Sequence, residues 1–376
     1  VSRNGPTETI AISTGGGDAP GLNAVIKAVT LGGRRRGWRV LGLRDAFTGI
    51  LNPDDYPDGG IVELDEDAVR YIGHQGGTII GTTNRGNPTA FPVKADNGSW
   101  TTVDRSDELL DRFEELGIDA LISVGGDGSL EIAHHIHQRS LATGRGLRVI
   151  GVPKTIDNDL DQTTSTFGFD TAVSFATEAI DRLFSTAASH GRVMVVEVMG
   201  RYAGWIALHC GVATGAHGIL IPEIPYRLER VAEMIQQRRS AGRDYAIVVV
   251  AEGAAPIDGE ITVASRSLGH AERLGGVGEK VANELEHLTG MESRSVVLGH
   301  LLRGGTPTST DRLLGLRFGG AAIRALEQGY DGVMVALAPP TVRYVSLLEA
   351  TRAIKTVPVF GDTVLTARDL GVCFGD

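Results

Sequence analysis

Short runs rich in valine and isoleucine alternate with helix-forming stretches along almost the whole chain, and this alternation limits the fold more than any other feature. Ile10–Ser13, Arg39–Leu43, Ala120–Val124, Val149–Val152, Val193–Val198, Ile219–Pro222, Ala246–Ala251, Val296–Leu298 and Val333–Ala336 read as strands. They are apolar on both faces, as buried parallel sheets require. Between them, Gly21–Leu31 places Leu22, Val25, Ile26 and Val29 at helical spacing, and Asp107–Leu116 does the same with Leu109, Leu110, Phe113 and Leu116. Such alternation predicts a doubly wound α/β fold. Nine strands are too many for one small sheet, so the expectation is two lobes, each a largely parallel sheet flanked by helices, with a cleft between them. Phe91–Arg105, which carries Asp96-Asn97-Gly98, reads as a hairpin or loop insertion, and Ala254–Gly269 reads similarly. No internal repeat or low-complexity tract interrupts the pattern.

Composition narrows the function. Hydrophobic residues make up 42% of the 376 and charged residues 22%, enough apolar material for two cores. The formal net charge of −10 argues against nucleic acid or an anionic membrane as a partner, since neither gains from an acidic chain. A phosphorylated small molecule remains compatible, because a local cationic pocket can sit on an acidic protein. Two cysteines, Cys210 and Cys373, give no disulfide framework and suit a reducing compartment. No apolar run reaches the roughly 18 residues that span a bilayer, and the polar stretch Val1 to Glu8 has no signal-peptide character. A cytoplasmic protein is expected.

Three strand ends carry chemistry. Thr14-Gly15-Gly16-Gly17-Asp18-Ala19-Pro20-Gly21 follows the first strand and opens the first helix. Glycines there let backbone N–H groups converge on an anion beside a helix N-terminus, although a tight strand-to-helix turn needs them equally. The segment matches neither a Walker A sequence nor the dinucleotide G-x-G-x-x-G spacing. Gly125-Gly126-Asp127-Gly128-Ser129 repeats the arrangement. A carboxylate beside an anion loop calls for a cation such as Mg²⁺, which makes Asp127 a candidate ligand; alternatively Asp127 caps a helix starting near Ser129. Pro153-Lys154-Thr155-Ile156-Asp157-Asn158-Asp159 follows a third strand. It is good turn chemistry, and it also holds two carboxylates and a lysine of the kind that accept a hydroxyl proton during group transfer.

These segments bring a resemblance with them. Gly16–Asn23, Gly125–Ser129 and Pro153–Asp159 are similar, in this order, to motifs of the phosphofructokinase family, as are Glu197–Trp205 and Leu298–Gly305. Five motifs in register from residue 16 to 305 are highly specific. The resemblance implies Mg²⁺-dependent phosphoryl transfer to the 1-hydroxyl of fructose 6-phosphate, the glycolytic step. It implies a donor lobe of residues 1–168 and 302–352 and a sugar-phosphate lobe of residues 169–301 and 353–376, with the active site in the cleft. Asp157 matches the general base, flanked by Thr155 and Asp159. Met199, Gly200 and Arg201 match the substrate loop, whose arginine steadies the transferring phosphoryl. Glu252 matches the sugar-binding glutamate. Arg192, Arg294, His300 and Arg303 match the groups that hold the 6-phosphate. Gly17, Gly126, Asp127, Gly128 and Ser129 fall on the donor side, with Asp127 serving the metal. Arg192 and Arg294 are implied to reach across from a neighbouring subunit, which predicts a homodimer or homotetramer.

The family uses ATP or inorganic pyrophosphate, and the two diagnostic positions disagree. Gly128 matches ATP users; an aspartate there fills the space of the α-phosphate and repels it. Lys154 matches pyrophosphate users. A steric and like-charge block is harder to evade than an extra lysine, so ATP is the expected donor and pyrophosphate the alternative. Ile132 stands where many ATP enzymes have glycine against the adenine, and Asn84-Arg85 alters the donor loop, leaving Arg85 a candidate contact. Lys27 and Leu31 replace the first-helix arginines that bind effector phosphate. A non-catalytic subunit of the same fold would show a degenerate site, whereas Asp127, Asp157 and Arg201 are all present. Sugar length is read by pocket shape, so sedoheptulose 7-phosphate is also open as a substrate.

Other signals have plainer readings. Arg34-Arg35-Arg36 follows a helix end, where cations suit the dipole. His134-His135-Ile136-His137 reads as a solvated helix face rather than a metal site. Gly275–Lys280 reads as a turn before the helix Lys280–Leu288, and Trp205 as core packing.

Overall fold

The computed structural model describes residues 8–94, 98–257, 259, 263–265 and 273–376. The strands are β1 (Thr9–Thr14), β2 (Arg39–Leu43), β3 (Ile61–Glu63), β4 (Phe91–Lys94), β5 (Trp100–Val103), β6 (Ala120–Gly125) and β7 (Arg148–Pro153). They continue with β8 (Val193–Val198), β9 (Gly218–Leu220), β10 (Ala246–Ala251), β11 (Val263–Ser265), β12 (Arg273–Leu274), β13 (Ser293–Val297), β14 (Val333–Ala338) and β15 (Thr341–Ser346). The chain divides into two compact units. The first comprises residues 1–156, 160–168 and 303–353; the second comprises 157–159, 169–302 and 354–376.

The first unit holds a seven-stranded sheet ordered β15-β14-β7-β6-β1-β2-β3. Its five central strands run parallel, while β3 and β15 pair antiparallel at the two edges. Side-chain alternation explains why both faces are covered. Ile10 and Ile12 point into a cluster with Leu22, Val25, Ile26 and Val29 of the helix Leu22–Arg34 and with Phe318 and Ala322 of the helix Ser309–Glu327. Ala11, between them, faces the other cluster, with Leu109, Leu110 and Phe113 of the helix Ser106–Glu115 and Leu130 of the helix Asp127–Thr143. Each large side chain so buried contributes roughly 1.5–3 kcal/mol.

In the second unit a parallel four-stranded sheet is ordered β13-β8-β10-β9. Val193, Val195, Val248 and Val250 pack on Val281 and Leu285 of the helix Val277–Thr289. All nine runs read from the sequence as strands overlap strands of these two sheets, although Ile219–Pro222 and Val296–Leu298 run past the ends of β9 and β13. The polar stretch after Pro88 forms the β4–β5 hairpin. Its tip, Asp96 and Asn97 included, lies outside the described residues, as do half of the Ala254–Gly269 insertion and the stretch before Glu8.

Two readings need correction. His137 is not on a solvated face: it is buried, and its Nε2 lies 3.1 Å from Asp331 Oδ2. The carboxylate comes from 194 positions away, beside β14, which no local spacing reveals. Among the described residues no group of His, Cys, Asp and Glu is arranged to hold a metal. Trp205 is half-buried and opens the helix Trp205–Thr214; its Nε1 donates to the Lys355 carbonyl at 2.9 Å, so it is a tether rather than plain core. The arginine run behaves as read: Arg36 donates to the Gly32 carbonyl near the helix end, and Arg34 and Arg36 pair with Glu63 and Glu327.

Candidate active site

In the first unit the site grows from strand order. The chain leaves β1 toward β2 and leaves β6 toward β7, so the connections diverge at the β1/β6 boundary. Open α/β sheets bind ligands outside the carboxyl ends of strands at such a switch point. Both glycine loops emerge there. Gly15 N–H donates to Val124 O at 2.9 Å, and Lys154 N–H donates to Gly125 O at 2.9 Å, which ties the ends of β1, β6 and β7 together. A Cβ on Gly15 would stand 2.9 Å from Ser129 Oγ, so the two loops touch here and a larger residue would have to turn that hydroxyl aside.

Two cations bracket the first loop. Lys154 is buried, and its Nζ donates to the Gly17 carbonyl. Arg303 Nη1 donates to the Asp18 carbonyl at 3.2 Å. A Cβ on Gly17 would lie 2.8 Å from the Arg303 Cζ, so a larger residue would have to displace the guanidinium. A local positive field thus exists on a chain of net charge −10. Asp127 is the first residue of the helix Asp127–Thr143, capped by Gly126, and it is exposed together with Gly128. A carboxylate in that first turn is favoured by the helix dipole. Among the described residues no heavy atom lies within 4 Å of a Cβ built on Gly128. Arg85 is exposed, and its backbone N–H donates to Thr83 Oγ1. Ile132 packs against the core cluster under the sheet. Thr155 is buried and its carbonyl accepts from Thr166 Oγ1 at 2.7 Å.

In the second unit the ends of β8 and β10 carry the remaining residues. Glu252 N–H donates to Val198 O at 2.9 Å and Gly253 N–H to Gly200 O at 3.1 Å, so the Met199–Arg201 loop and Glu252 lie side by side. Gly200 has a φ of 141°, a left-handed value that favours glycine. A Cβ on Gly253 would stand 2.7 Å from the Arg201 carbonyl carbon. Glu197, one turn of chain earlier, is buried, and its carboxylate accepts from Gly278 N–H at 2.7 Å and Gly276 N–H at 3.3 Å. Gly275–Lys280 is therefore the turn and N-terminus of the helix Val277–Thr289, with its free N–H groups already taken by the Glu197 side chain. Asp157, Asn158 and Asp159 form a turn in which Asn158 has a φ of 53°. Asp157 Oδ1 is shielded from solvent.

Arg192 and Arg294 stand elsewhere. Arg192 precedes β8, and Arg294 is paired with Met194 near the start of β13. Both bond Glu292, Arg192 through Nε at 2.7 Å. The hydrogen bond from Arg192 holds the Glu292 carboxyl below its ordinary range. Arg201 follows the opposite end of β8, and six residues of strand span roughly 20 Å at ~3.3 Å each. His300 is exposed in the short turn Gly299–Arg303 after β13.

Comparison with known proteins fits this arrangement. The family model described as phosphofructokinase matches residues 9–326. The chain belongs to the phosphofructokinase family. It is 48% identical over 370 residues to an ATP-dependent 6-phosphofructokinase of Chloroflexus aggregans, covering 98% of each chain. It is also 48% identical over 355 residues to a pyrophosphate–fructose 6-phosphate 1-phosphotransferase of Amycolatopsis mediterranei, covering 93% of this chain and 96% of that one. A crystal structure of Pichia pastoris phosphofructokinase in the T-state superimposes with a TM-score of 0.78 at 32% identity, over 93% of this chain. There the chain spans 36% of the relative's own length. Family membership agrees with the largely parallel α/β architecture and with the order of the five motifs. No helix among the described residues is long and apolar enough to cross a membrane.

Proposed function

We propose that the chain is a 6-phosphofructokinase that transfers the γ-phosphoryl of ATP to the 1-hydroxyl of fructose 6-phosphate. The convergence of two glycine loops, Asp127 and buried Lys154 at the β1/β6 switch point carries this reading. Phosphoryl transfer asks for positioning and charge neutralisation more than for covalent chemistry. Gly17, Gly126, Gly128, Ser129, Lys154 and Arg85 form the donor side on the first unit. On the second unit Asp157, between Thr155 and Asp159, accepts the hydroxyl proton, Arg201 offsets the charge of the transferring group, and Met199, Gly200 and Glu252 orient the sugar. His300 and Arg303, with Arg192 and Arg294, take the 6-phosphate. The first unit is accordingly the donor lobe and the second the sugar-phosphate lobe.

Mg²⁺ fits the donor set. It is usually held by one or two carboxylates plus phosphate and water, and Asp127 offers one exposed carboxylate beside open space. When bound, the ion neutralises charge on the donor phosphates. Arg192 and Arg294 sit at the end of β8 remote from Arg201, so we infer that a second copy supplies them and that the working form is at least a dimer. Two free thiols and a glycolytic substrate suit the cytoplasm.

The open space over Gly128 supports ATP, while buried Lys154 against the Gly17 carbonyl, together with the Amycolatopsis relative, supports pyrophosphate as the second reading. Initial rates with fructose 6-phosphate and Mg²⁺, ATP against pyrophosphate at equal concentration, decide between them. Turnover with ATP alone supports the proposal, turnover with pyrophosphate alone replaces the donor, and turnover with neither refutes the activity. Asp157→Ser is expected to lower kcat by about 10²–10⁴-fold while sugar binding persists; near-normal turnover sinks the base assignment.

A further inference from the structure

Beyond the residues that touch substrate, the second unit contains a strap whose geometry has no need of the fold alone. The segment Ile354–Val357 runs without regular secondary structure past three points. Lys355 N–H donates to the Asp159 carbonyl at 2.8 Å. Lys355 Nζ donates to Asn158 Oδ1 at 2.8 Å. The Lys355 carbonyl accepts from Trp205 Nε1 at 2.9 Å, and the ammonium stands 5.7 Å from the centre of that indole ring. Two residues on, Val357 N–H donates to Glu223 Oε1 at 2.7 Å, and the same carboxylate accepts from Gly204 N–H at 3.1 Å. One short segment therefore grips the Asp157–Asp159 turn with one end and the close of the Met199–Gly204 loop with the other.

The turn needs such a grip. Asn158 is buried and lies in the left-handed region at a φ of 53°, which asparagine tolerates better than most residues but which is still sparsely populated. Its amide oxygen accepts from Lys355, so that bond contributes to the orientation of the residues on either side. Burial raises the Glu223 carboxyl above its ordinary range, and its three backbone hydrogen bonds oppose that rise. The second anchor is thus a half-buried carboxylate fully engaged with backbone.

We propose that Lys355 is a positioning residue for the phosphoryl transfer: through Asn158 and Asp159 it fixes the turn that carries the base, and through Trp205 it locks that turn to the substrate loop. The inference rests on the assignment of Asp157 as base. Lys355 acts here through its bonds to Asn158, the Asp159 carbonyl and Trp205, so its removal is expected to misplace the base without emptying the sugar site. Displacing a catalytic group by about 1 Å costs about 10²-fold.

The test is steady-state kinetics on the full-length chain with fructose 6-phosphate, Mg²⁺ and whichever donor the wild type uses. Lys355→Met is expected to lower kcat by about 10²-fold with KM for the sugar within about threefold, and Lys355→Arg, which keeps a cation for Asn158, recovers most of that loss. Equal kcat for wild type and Lys355→Met in folded protein overturns the proposal, as does a loss confined to KM. If Lys355→Met does not fold, Trp205→Phe decides: it removes the indole N–H together with part of the ring beside the ammonium and is expected to lower kcat by at least about fivefold, the scale of one hydrogen bond, and unchanged kcat overturns the proposal. A wild type inactive with both donors refutes the functional reading itself, and this inference with it. An active wild type whose Asp157→Ser variant is impaired, with Lys355→Met unaffected, refutes the strap alone.

Discussion

Replacing Gly253 by alanine tests how tightly the second unit holds its arginine. The added Cβ would stand 2.7 Å from the Arg201 carbonyl carbon and 3.0 Å from the Gly200 carbonyl oxygen, and closer still to the Arg201 oxygen. All three are backbone atoms, so no side chain can swing aside. Ordinary contact requires a separation of roughly 3.4 Å or more between such atoms, so the loop must retreat by on the order of 1 Å. The retreat stretches the Gly253 N–H bond to Gly200 O, now 3.1 Å, and carries Arg201 with it. Displacements of this size cost about 10²-fold in rate. The assay is kcat and kcat/KM with saturating donor, alongside a thermal melt to separate local from global damage. Gly128→Ala is the companion, because among the described residues nothing lies within 4 Å of its Cβ. A folded Gly253→Ala enzyme with wild-type kcat refutes the claim that this backbone contact sets the arginine's position.

Three further outcomes are expected. Gly128→Asp folds normally into open space and loses ATP turnover by at least about 10²-fold through charge repulsion with the α-phosphate, while pyrophosphate turnover is retained or gained; unaltered ATP kinetics refute the steric argument. His217 is held neutral by burial, then by Arg238 and Arg243, with its pKa lowered to about 4, and its Nδ1 accepts from Ile247 N–H. Because the folded state binds fewer protons there, its stability contribution is present above pH 6.5 and is lost as the pH falls toward 4. After allowance for solvent screening this is about 1–2 kcal/mol; His217→Asn, which keeps the acceptor, flattens urea-unfolding stability across that window. Gly332→Ala places a Cβ 2.9 Å from His137 Nδ1 at a φ of 65°, and a loss of roughly 2–4 kcal/mol in chemical denaturation is expected from overpacking and backbone strain.

The parallel strands were legible because burial on both faces leaves long valine and isoleucine runs, as in Val193–Val198. The edge strands β3 and β15 escaped: half-exposed and antiparallel, they show no continuous apolar run, and the turn signals before them, Asp58-Gly59-Gly60 and Pro339-Pro340, mark a bend without specifying a strand. Glycines and carboxylates at strand ends were legible for the same physical reason, since their types are unusual beside apolar strands. What failed to show was anything made by distant partners. Asp331 reaches His137, Lys355 reaches Asn158 and Trp205, and Glu223 reaches Val357, each across more than a hundred residues, and none leaves a local pattern. Gly253 looked like any glycine after a strand; only the Arg201 backbone in front of it explains it.

The strand order has a consequence for the order of synthesis. In the seven-stranded sheet, β7 is flanked on one side by β6 and on the other by β14, and Val333 pairs with Ile150. That partner emerges about 180 residues later. At about 5–20 residues per second, the outer rim of β7 waits roughly 10–40 s during translation. For that interval Val149, Ile150 and Val152, all fully buried in the finished protein, border an unpaired hydrogen-bonding edge. Such an edge is a template for pairing with another chain. All four strands of the second sheet are made by residue 297, before β14 emerges, so the rim of β7 is the edge that stays open longest, and the yield on refolding should fall with chain concentration more steeply than stability alone would dictate.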